Sequence, residues 1–388
     1  MPQWKEFHPP QRLLLGPGPA SIDQRVLQAM SSPVLGYLDP AFLRCMDDIQ
    51  EMLRHVFETK NTVTLTLPGT GTSGMQCTLA NLIQSGDEVV VCVNGYFSNR
   101  ICDLVERSEG KAIRVDFEWG QPIDMDRVAS VLKSSRADIV AMVHAETSTG
   151  MRQPIEKLRD LLAVRDVVLL VDAVTSLGGL PVGIDRNGID ACYSCSQKAI
   201  GAPPGLAPVT FSDKAMQKIR ARRTVCRDFY LDITLLEKYW GKERVYHHTA
   251  PTSMHYAIRE ALRLVCEEGL EARWKRHEQN SRMLQAGLEA MGLAMLVAPE
   301  HRLWTLNSVR VPAGVEEARV RTRLLEEHSI EIGAGLGPLK GRIWRIGLMG
   351  AVSTRENVLL LLETLEKVLA AEGFKAGSGM KAAEAASH

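Results

Sequence analysis

The sequence predicts an α/β protein, with a mostly parallel sheet in a large domain and a smaller α+β domain after it. Short apolar runs of strand length alternate with helical or turn-rich stretches through roughly the first two thirds of the 388 residues. From about Arg259 this pattern changes to two long amphipathic helices, followed by alternating strands and helices. We therefore expect an N-terminal arm (1–22), a large domain (23–264), a small C-terminal domain (265–372) and a disordered tail (373–388).

Each element follows from local composition. An apolar stripe at helical spacing, with charges opposite, predicts a helix over residues 41–57. Apolar and β-branched runs predict strands in the large domain at 62–67, 89–93, 112–117, 138–143, 167–171, 189–194 and 207–211. In the small domain, strands are predicted at 305–311, 330–332 and 343–346, with helices ending near Glu327 and beginning near Thr354.

Two Gly-rich turns are candidate ligand contacts. Leu13-Leu-Leu-Gly-Pro-Gly-Pro19 cannot be helical, and its bare backbone can approach a ligand closely, although a plain linker fits the same residues. The second turn, Pro68 to Gly74, joins a predicted strand to a helix that runs to about Ile83. The free N–H groups of Thr70, Gly71 and Thr72 at this helix start would bind one phosphate, and an ordinary capped helix start is the alternative.

The second turn also matches the G-x-G-x-x-G pattern of dinucleotide-binding folds. Such a fold requires an acidic residue at the end of the following strand, where it binds the ribose. Here that strand ends in Asn94-Gly95, and the acids Asp87 and Glu88 precede it. The sequence therefore disfavours an NAD-dependent dehydrogenase and leaves a phosphate site.

An acid and an amine follow two later strands. The apolar run 167–171 is too short for a helix and predicts a strand buried on both faces, with Asp172 at its carboxyl end. The segment 189–194 leads to Lys198, so two adjacent strand ends would present both groups to one crevice. Lysine forms a Schiff base with an aldehyde, and a buried carboxylate can keep a pyridine nitrogen protonated. The pair suggests pyridoxal phosphate, with a structural salt bridge as the alternative.

Composition narrows the class of partner. Lys plus Arg and Asp plus Glu each number 46, so no overall field favours nucleic acid or an acidic membrane surface. No apolar run reaches membrane-spanning length, the N-terminus lacks signal-peptide features, and the eight cysteines form no disulfide framework. We expect a cytoplasmic protein that acts on small molecules.

A metal site is not expected. His144-Ala-Glu146 with Cys192 and Cys195 imitates the motifs of zinc deaminases. No Pro precedes Cys192, however, and both pieces fall at strand ends rather than at helix starts, which favours ordinary buried side chains.

Seven stretches, in order, resemble the alanine-glyoxylate and serine-pyruvate aminotransferases, the class V group of fold-type I pyridoxal phosphate enzymes. The stretches are 13–19, 146–150, 171–179, 196–199, 202–205, 246–249, and 335–338 with 345–350. The likeness runs from Leu13 to about Ala370. It implies the fold-type I architecture with a seven-stranded sheet, pyridoxal 5'-phosphate as cofactor, and a homodimer with shared active sites.

The resemblance also implies roles for individual residues. Lys198 would hold the cofactor as a Schiff base, and Asp172 would pair with its pyridine nitrogen. The other implied cofactor contacts are Thr70, Gly71, Thr72 and Gln197 at the phosphate, Tyr246 and Thr249 reaching it from the other subunit, Phe97 on the ring face and Thr147 near the ring hydroxyl. Arg345 would bind the substrate carboxylate, with Gly18 and Tyr37 also on the substrate side.

The implied reaction moves an amino group from alanine or serine to glyoxylate or another small 2-oxo acid by a ping-pong mechanism. In the related ureidoglycine aminotransferases, Gln stands where this chain has Tyr37, paired with an Asn that Thr252-Ser253-Met254 does not supply. Alanine or serine is therefore favoured over ureidoglycine. A cysteine desulfurase is disfavoured because the last cysteine, Cys266, lies in a helical stretch, and a non-catalytic relative would be expected to lack Lys198 or Asp172.

Overall fold

The computed structural model describes residues 4–386, so the ends of the predicted arm (1–3) and of the predicted tail (387–388) lie outside the described residues. Its strands are β1 (Leu13–Leu14), β2 (Val63–Gly69), β3 (Glu88–Val93), β4 (Lys111–Asp116), β5 (Ile139–Val143), β6 (Ala145–Glu146), β7 (Met151–Arg152), β8 (Val168–Asp172), β9 (Ala191–Tyr193), β10 (Gly205–Phe211), β11 (Leu306–Arg310), β12 (Ile330–Glu331), β13 (Gly333–Ala334) and β14 (Ile343–Gly347).

The helices are α1 (Gln24–Met30), α2 (Pro40–Phe57), α3 (Gly71–Leu82), α4 (Tyr96–Arg107), α5 (Met125–Ser134), α6 (Ile184–Asn187), α7 (Asp213–Arg220), α8 (Ile233–Trp240), α9 (Thr252–Glu268), α10 (Leu270–Ala290), α11 (Glu317–His328), α12 (Arg355–Ala371) and α13 (Gly379–Ala385). Of the helices in residues 4–386, none combines the length and the apolar character that a membrane crossing requires.

A seven-stranded sheet forms the centre of the larger part of the fold, in the order β2-β10-β9-β8-β5-β3-β4. β10 runs antiparallel to both of its neighbours, whereas the other paired strands run parallel. All five residues of β8 are buried because the sheet is covered on both faces, as its uninterrupted apolar sequence predicts. The predicted mostly parallel sheet of seven strands is confirmed.

The apolar side chains form two main clusters. One surrounds the large sheet and includes residues from Val26 to Leu270. The other packs α10, α11 and α12 against the three-stranded sheet β11-β14-β13. Leu15 of the N-terminal arm belongs to this second cluster, and β1 pairs with β12. The arm is therefore anchored to the C-terminal part of the chain, while the predicted domain boundaries remain predictions.

The tail was predicted to be disordered from residue 373 onward, whereas Gly379–Ala385 form helix α13. Helix α13 packs against α10 and α12, and the side chain of Ala383 is fully buried in the second cluster. Small residues explain this packing: a β-carbon at Gly287 would lie 3.1 Å from the carbonyl oxygen of Gly379, so the two helices approach closely. A composition rich in Ala and Gly predicted disorder, yet here it permits close contact.

Candidate active site

A cavity of about 330 Å³ lies where the large sheet, the N-terminal arm and the C-terminal part of the chain meet. Val143 and Asp172, the last residues of β5 and β8, line it, as expected for the carboxyl ends of parallel strands. The cavity collects ten of the predicted site residues: Gly18, Thr70, Gly71, Thr72, Phe97, Thr147, Asp172, Gln197, Lys198 and Arg345. Residues up to 327 positions apart in the chain therefore share one site.

Asp172 is a buried carboxyl group at the end of β8. The backbone N–H of Val174 donates to its Oδ1 at 2.8 Å. Burial raises the pKa of Asp172 to about 7, and this Val174 hydrogen bond opposes the rise only in part. A carboxylate in such surroundings is stabilised by a cationic partner, so the position suits a protonated ring nitrogen.

Lys198 lies in the loop between β9 and β10, and it is only 8% exposed. Its Nζ donates to the carbonyl oxygen of Pro17 and to Thr175 Oγ1, the latter at 3.5 Å. Burial lowers the pKa of Lys198 to about 8. Near neutral pH the amine is therefore deprotonated more often than that of an exposed lysine, which suits a nucleophile or a base.

The turn before α3 presents backbone N–H groups to the cavity. Thr70 is the N-cap residue, its side chain makes no capping hydrogen bond, and the first N–H groups of the helix have no acceptor within the helix. A β-carbon at Gly71 would lie 3.0 Å from Val174 and 3.3 Å from Cys195, so glycine lets the turn sit against this wall. Such a helix start favours an anion.

Two side chains complete the anion-binding end of the cavity. The Oε1 atom of Gln197 is buried and has no hydrogen-bond partner among the described residues. Because a glutamine amide can be turned over, this side chain can offer its NH2 group to an anion. Arg100, which sequence analysis missed, donates from Nη1 to Thr72 Oγ1 at 3.4 Å, and its guanidinium carbon lies 5.1 Å from the Phe97 ring centre. Its spacing of three residues from Phe97 on one helix could have indicated this position.

Arg345, on β14, brings a buried cation to the cavity. Its Nε donates to the carbonyl oxygen of Ala334 at 2.6 Å, and its Nη1 donates to that of Thr147 at 3.3 Å. Burial lowers the pKa of Arg345 to about 10. Within residues 4–386 no carboxylate forms an ion pair with it, so its charge is available to a ligand anion.

Three predicted residues do not line this cavity. Tyr37 and Tyr246 pack together with ring centres 5.0 Å apart, and Tyr246 is 53% exposed. The hydroxyl of Tyr239 donates to the carbonyl oxygen of Tyr37 at 3.0 Å, and Thr249 is exposed nearby in sequence. Their predicted roles, which for Tyr246 and Thr249 require a second subunit, remain predictions.

Comparison with known proteins decides the family. The model of the family described as "Aminotransferase class-V" matches residues 13–358. The chain belongs to the class-V aminotransferases. The predicted family is confirmed, and this class-V aminotransferase uses pyridoxal phosphate.

Individual relatives match nearly the whole chain. The alanine-glyoxylate aminotransferase of Mus musculus is 39% identical over 94% of this chain and 89% of its own. The (S)-ureidoglycine-glyoxylate transaminase of Bacillus subtilis is 38% identical over 98% of this chain and 96% of its own. The structure of an alanine-glyoxylate aminotransferase from Nostoc sp. matches with a TM-score of 0.93 and 48% identity, covering 95% of this chain and 97% of that one.

The cavity of this class-V aminotransferase fits the cofactor in each of its parts. The helix start at Gly71 and the unpaired amide of Gln197 complement a phosphate, the amine of Lys198 complements an aldehyde, and the carboxyl of Asp172 complements a pyridine nitrogen. The alternative of a salt bridge is also disfavoured, because Lys198 Nζ bonds to Pro17 and Thr175 and makes no ion pair with Asp172 among the described residues.

The zinc motif has a different structural explanation. In residues 4–386 no group of three or more His, Cys, Asp or Glu side chains is placed to hold a metal ion. Glu146, one member of that motif, is fully buried beside the cavity and accepts hydrogen bonds from the start of α4. The sequence did not indicate this role, because the donors on α4 lie 48 or more residues from Glu146 along the chain. Only Ser148, two residues away, is a local donor.

Proposed function

We propose that this aminotransferase moves an amino group from alanine or serine to glyoxylate or another small 2-oxo acid. The observation that carries the proposal is Arg345, a buried guanidinium in the cavity with no carboxylate paired to it in the described chain. Its planar fork matches a carboxylate, which amino acids and 2-oxo acids share. The cavity of about 330 Å³ must also hold the cofactor, which favours a substrate with a small side chain.

In this proposal the residues divide the work by position. The bound cofactor supplies an electron sink for the carbanion that forms at the substrate Cα. Lys198 binds the cofactor and, once its amine is free, takes the proton from the substrate Cα. Asp172 holds the ring nitrogen in its protonated form, while Arg345 holds the substrate carboxylate so that the Cα proton lies within reach of Lys198.

The remaining residues bind and orient. The N–H groups at Thr70, Gly71 and Thr72, with Gln197, bind the phosphate. Phe97 and Thr147 line the cavity, where Phe97 would pack on the ring and Thr147 would hold its hydroxyl. Because the site accepts amino donor and 2-oxo acid in turn at the same place, the kinetics should be ping-pong.

Ureidoglycine is the second candidate donor, because the (S)-ureidoglycine-glyoxylate transaminase of Bacillus subtilis is 38% identical to this chain. Tyr37 argues for the smaller amino acids. Its ring packs against Tyr246, and α9 begins with Thr252, Ser253 and Met254, so this segment supplies no Asn to form an amide pair. An aromatic surface suits small aliphatic donors better than a ureido group, which needs several hydrogen-bond partners.

A donor panel tests the substrate. We expect kcat/KM with glyoxylate as acceptor to be highest for alanine or serine and at least about tenfold lower for ureidoglycine. Tyr37→Gln should shift this ranking toward ureidoglycine, whereas Tyr37→Phe, which keeps the ring, should preserve it. A wild-type preference for ureidoglycine would replace the proposed donor, and an equal change for every donor in Tyr37→Gln would remove Tyr37 from the substrate side.

We also propose a homodimer with shared active sites. Its support is a set of exposed apolar side chains: Tyr246, Phe229 (67% exposed), whose ring stacks on His247, and Val225 (82% exposed). Sedimentation should give a dimer, and mixing inactive Lys198→Ala with a weakened Tyr246→Ala/Thr249→Ala variant should restore activity, since one site of each hybrid is then intact. A monomer, or no recovery after subunit exchange, would contradict the shared site.

For location we propose the cytoplasm. All eight cysteines are free thiols, and seven of them are buried, which suits a reducing compartment. Cell fractionation followed by immunodetection is the direct test, and recovery of the protein from an oxidising compartment would contradict it.

A further inference from the structure

Glu146 is a buried carboxylate that the proposed roles do not use. It ends β6, its side chain is fully buried, and no Lys, Arg or His of residues 4–386 forms an ion pair with it. A buried acid without a paired cation must be satisfied by hydrogen bonds, because burying it otherwise is strongly unfavourable.

Five donor atoms on two segments lie within hydrogen-bond distance of it, and one of them, the Ser98 hydroxyl, shares its single proton with the carbonyl oxygen of Gly95 at 3.1 Å. From the start of α4, the N–H of Phe97 donates to Oε1 at 3.3 Å, and the N–H and hydroxyl of Ser98 donate to Oε2 at 3.1 and 3.3 Å. From the turn after β6, the N–H and hydroxyl of Ser148 donate to Oε1 at 3.2 and 2.6 Å. The carboxylate therefore ties the helix start to the turn.

Ser148 strengthens this tie. Its hydroxyl accepts from the N–H of Tyr96 at 2.9 Å while it donates to Glu146. The first three N–H groups of α4 thus all bond to the turn, and none is left to solvent or to a local cap. A negative charge at a helix start is also favoured by the helix dipole.

The packing around the carboxylate is close enough to fix its position. A β-carbon at Gly95 would lie 2.3 Å from Glu146 Cδ, a distance that real side chains do not adopt. The backbone of Gly95 is extended, with φ −176°, so the requirement for glycine here is one of space rather than of conformation.

Each tied segment carries a residue that lines the cavity. Phe97 is in the first turn of α4, and Thr147 directly follows Glu146. The carbonyl oxygen of Thr147 in turn accepts the hydrogen bond from Arg345 Nη1. The tie therefore reaches both the proposed ring contacts and the proposed substrate carboxylate contact.

We propose that Glu146 is a positioning residue of the aminotransferase site: it locks the start of α4 to the 146–148 turn and so holds Phe97, Thr147 and, through Thr147, Arg345 in register. This inference rests on the proposed function of those three residues. Glu146 does not line the cavity: its hydrogen bonds act through the segments that it joins, and its charge also acts on Arg345 and Lys198.

The test compares Glu146→Gln, which replaces one acceptor oxygen by a donor, with Gly95→Ala, which displaces the carboxylate but keeps its charge. Glu88→Gln is the matched control, because Glu88 is also buried and accepts a backbone N–H, from Arg136 at 2.8 Å, at the opposite end of the sheet. The readouts are the Kd of pyridoxal phosphate for the cofactor-free protein, the visible circular dichroism of the loaded protein, and KM and kcat for alanine.

We expect both site variants to weaken pyridoxal phosphate binding at least about tenfold, to change the visible circular dichroism and to raise KM for alanine. Glu88→Gln should leave all of these within about twofold, even if it lowers Tm. Should Glu146→Gln or Gly95→Ala not fold, Ser148→Ala removes the 2.6 Å bond to Glu146 together with the bond from Tyr96 N–H, leaves the carboxylate in place, and should show the same changes on a smaller scale.

Unchanged cofactor affinity and circular dichroism in folded Glu146→Gln and Gly95→Ala, or in Ser148→Ala where those do not fold, would overturn the inference. If wild-type protein itself bound no pyridoxal phosphate, the roles of Phe97 and Thr147 would fail instead. The two failures are distinguished because the wild type is measured in the same titration.

Discussion

Gly18 and Lys198 lie in direct contact across the cavity: a β-carbon at position 18 would come within 2.8 Å of both Cδ and Cε of the lysine. The neighbouring Pro17 also accepts a hydrogen bond from Lys198 Nζ through its carbonyl oxygen. The N-terminal arm therefore packs directly against the Lys198 side chain, although Gly18 and Lys198 are 180 positions apart in the sequence.

Gly18→Ala should push Lys198 out of position. Because φ at Gly18 is +109°, alanine is disfavoured there by conformation as well as by space. We expect kcat to fall by about a hundredfold or more while the fold survives, since small displacements of a reacting group cost that much. Gly16→Ala is the control, because its β-carbon would meet nothing closer than 3.7 Å. Equal activity in the two variants would contradict the contact.

Asp172 should make the stability of the cofactor-free protein depend on pH. Its pKa is raised from 3.8 to about 7, so between these values the folded state keeps a proton that the unfolded chain has lost. The unfavourable contribution of the group therefore grows as pH rises from about 4 and is complete above about 7. Asp172→Asn should gain about 2–4 kcal/mol in free energy of unfolding at pH 8 and little at pH 4.

Denaturant unfolding of both cofactor-free proteins at the two pH values measures this difference. Asp190→Asn serves as the control, since Asp190 accepts from Leu169 N–H at 3.0 Å and from the Ser212 hydroxyl at 2.7 Å and should lose stability when changed. A gain for Asp172→Asn that is the same at pH 4 and pH 8 would show that its carboxyl is not the titrating group.

The sequence predicts those features of the structure that neighbouring residues in the chain determine, and it misses those that depend on tertiary packing. Strand β8 and the position of Asp172 follow from an apolar run, and the meeting of Asp172 with Lys198 follows from the rule for parallel strand ends. The tie made by Glu146 could not be predicted, because its partners at Phe97 and Ser98 are brought to it by tertiary packing alone. The helix of the tail was missed because its residues are small and weakly apolar. Its packing depends on the close approach to Gly287, which the sequence does not show.

Arg345→Lys should weaken every amino acid donor by a similar factor. Lysine keeps a positive charge but cannot reproduce two parallel N–H donors, and it would also lose the bond to the Thr147 carbonyl oxygen. We expect KM for alanine and for serine to rise together by about tenfold to a hundredfold. Steady-state kinetics with both donors are the measurement, and a change confined to one donor would place Arg345 at the side-chain end of the substrate.

The tail helix should contribute to stability. Ala383 is fully buried against the second apolar cluster, whereas Ala385 of the same helix is exposed. Ala383→Asp should therefore lower the free energy of unfolding by about 1–3 kcal/mol, and Ala385→Asp should change it by less than about 0.5 kcal/mol. Thermal unfolding of the two variants measures this difference. Equal Tm values would mean that α13 does not pack against α10 and α12.

The central claim is that Lys198 carries pyridoxal phosphate in an aminotransferase site, and the two half-reactions test it most directly. Purified wild-type protein loaded with pyridoxal phosphate should be yellow, should lose that absorbance when L-alanine is added without an acceptor, and should regain it with glyoxylate. Lys198→Ala should keep its fold by circular dichroism but fail to complete this cycle. A wild-type spectrum that does not respond to either substrate, or a Lys198→Ala protein that completes the cycle at the wild-type rate, would contradict the account.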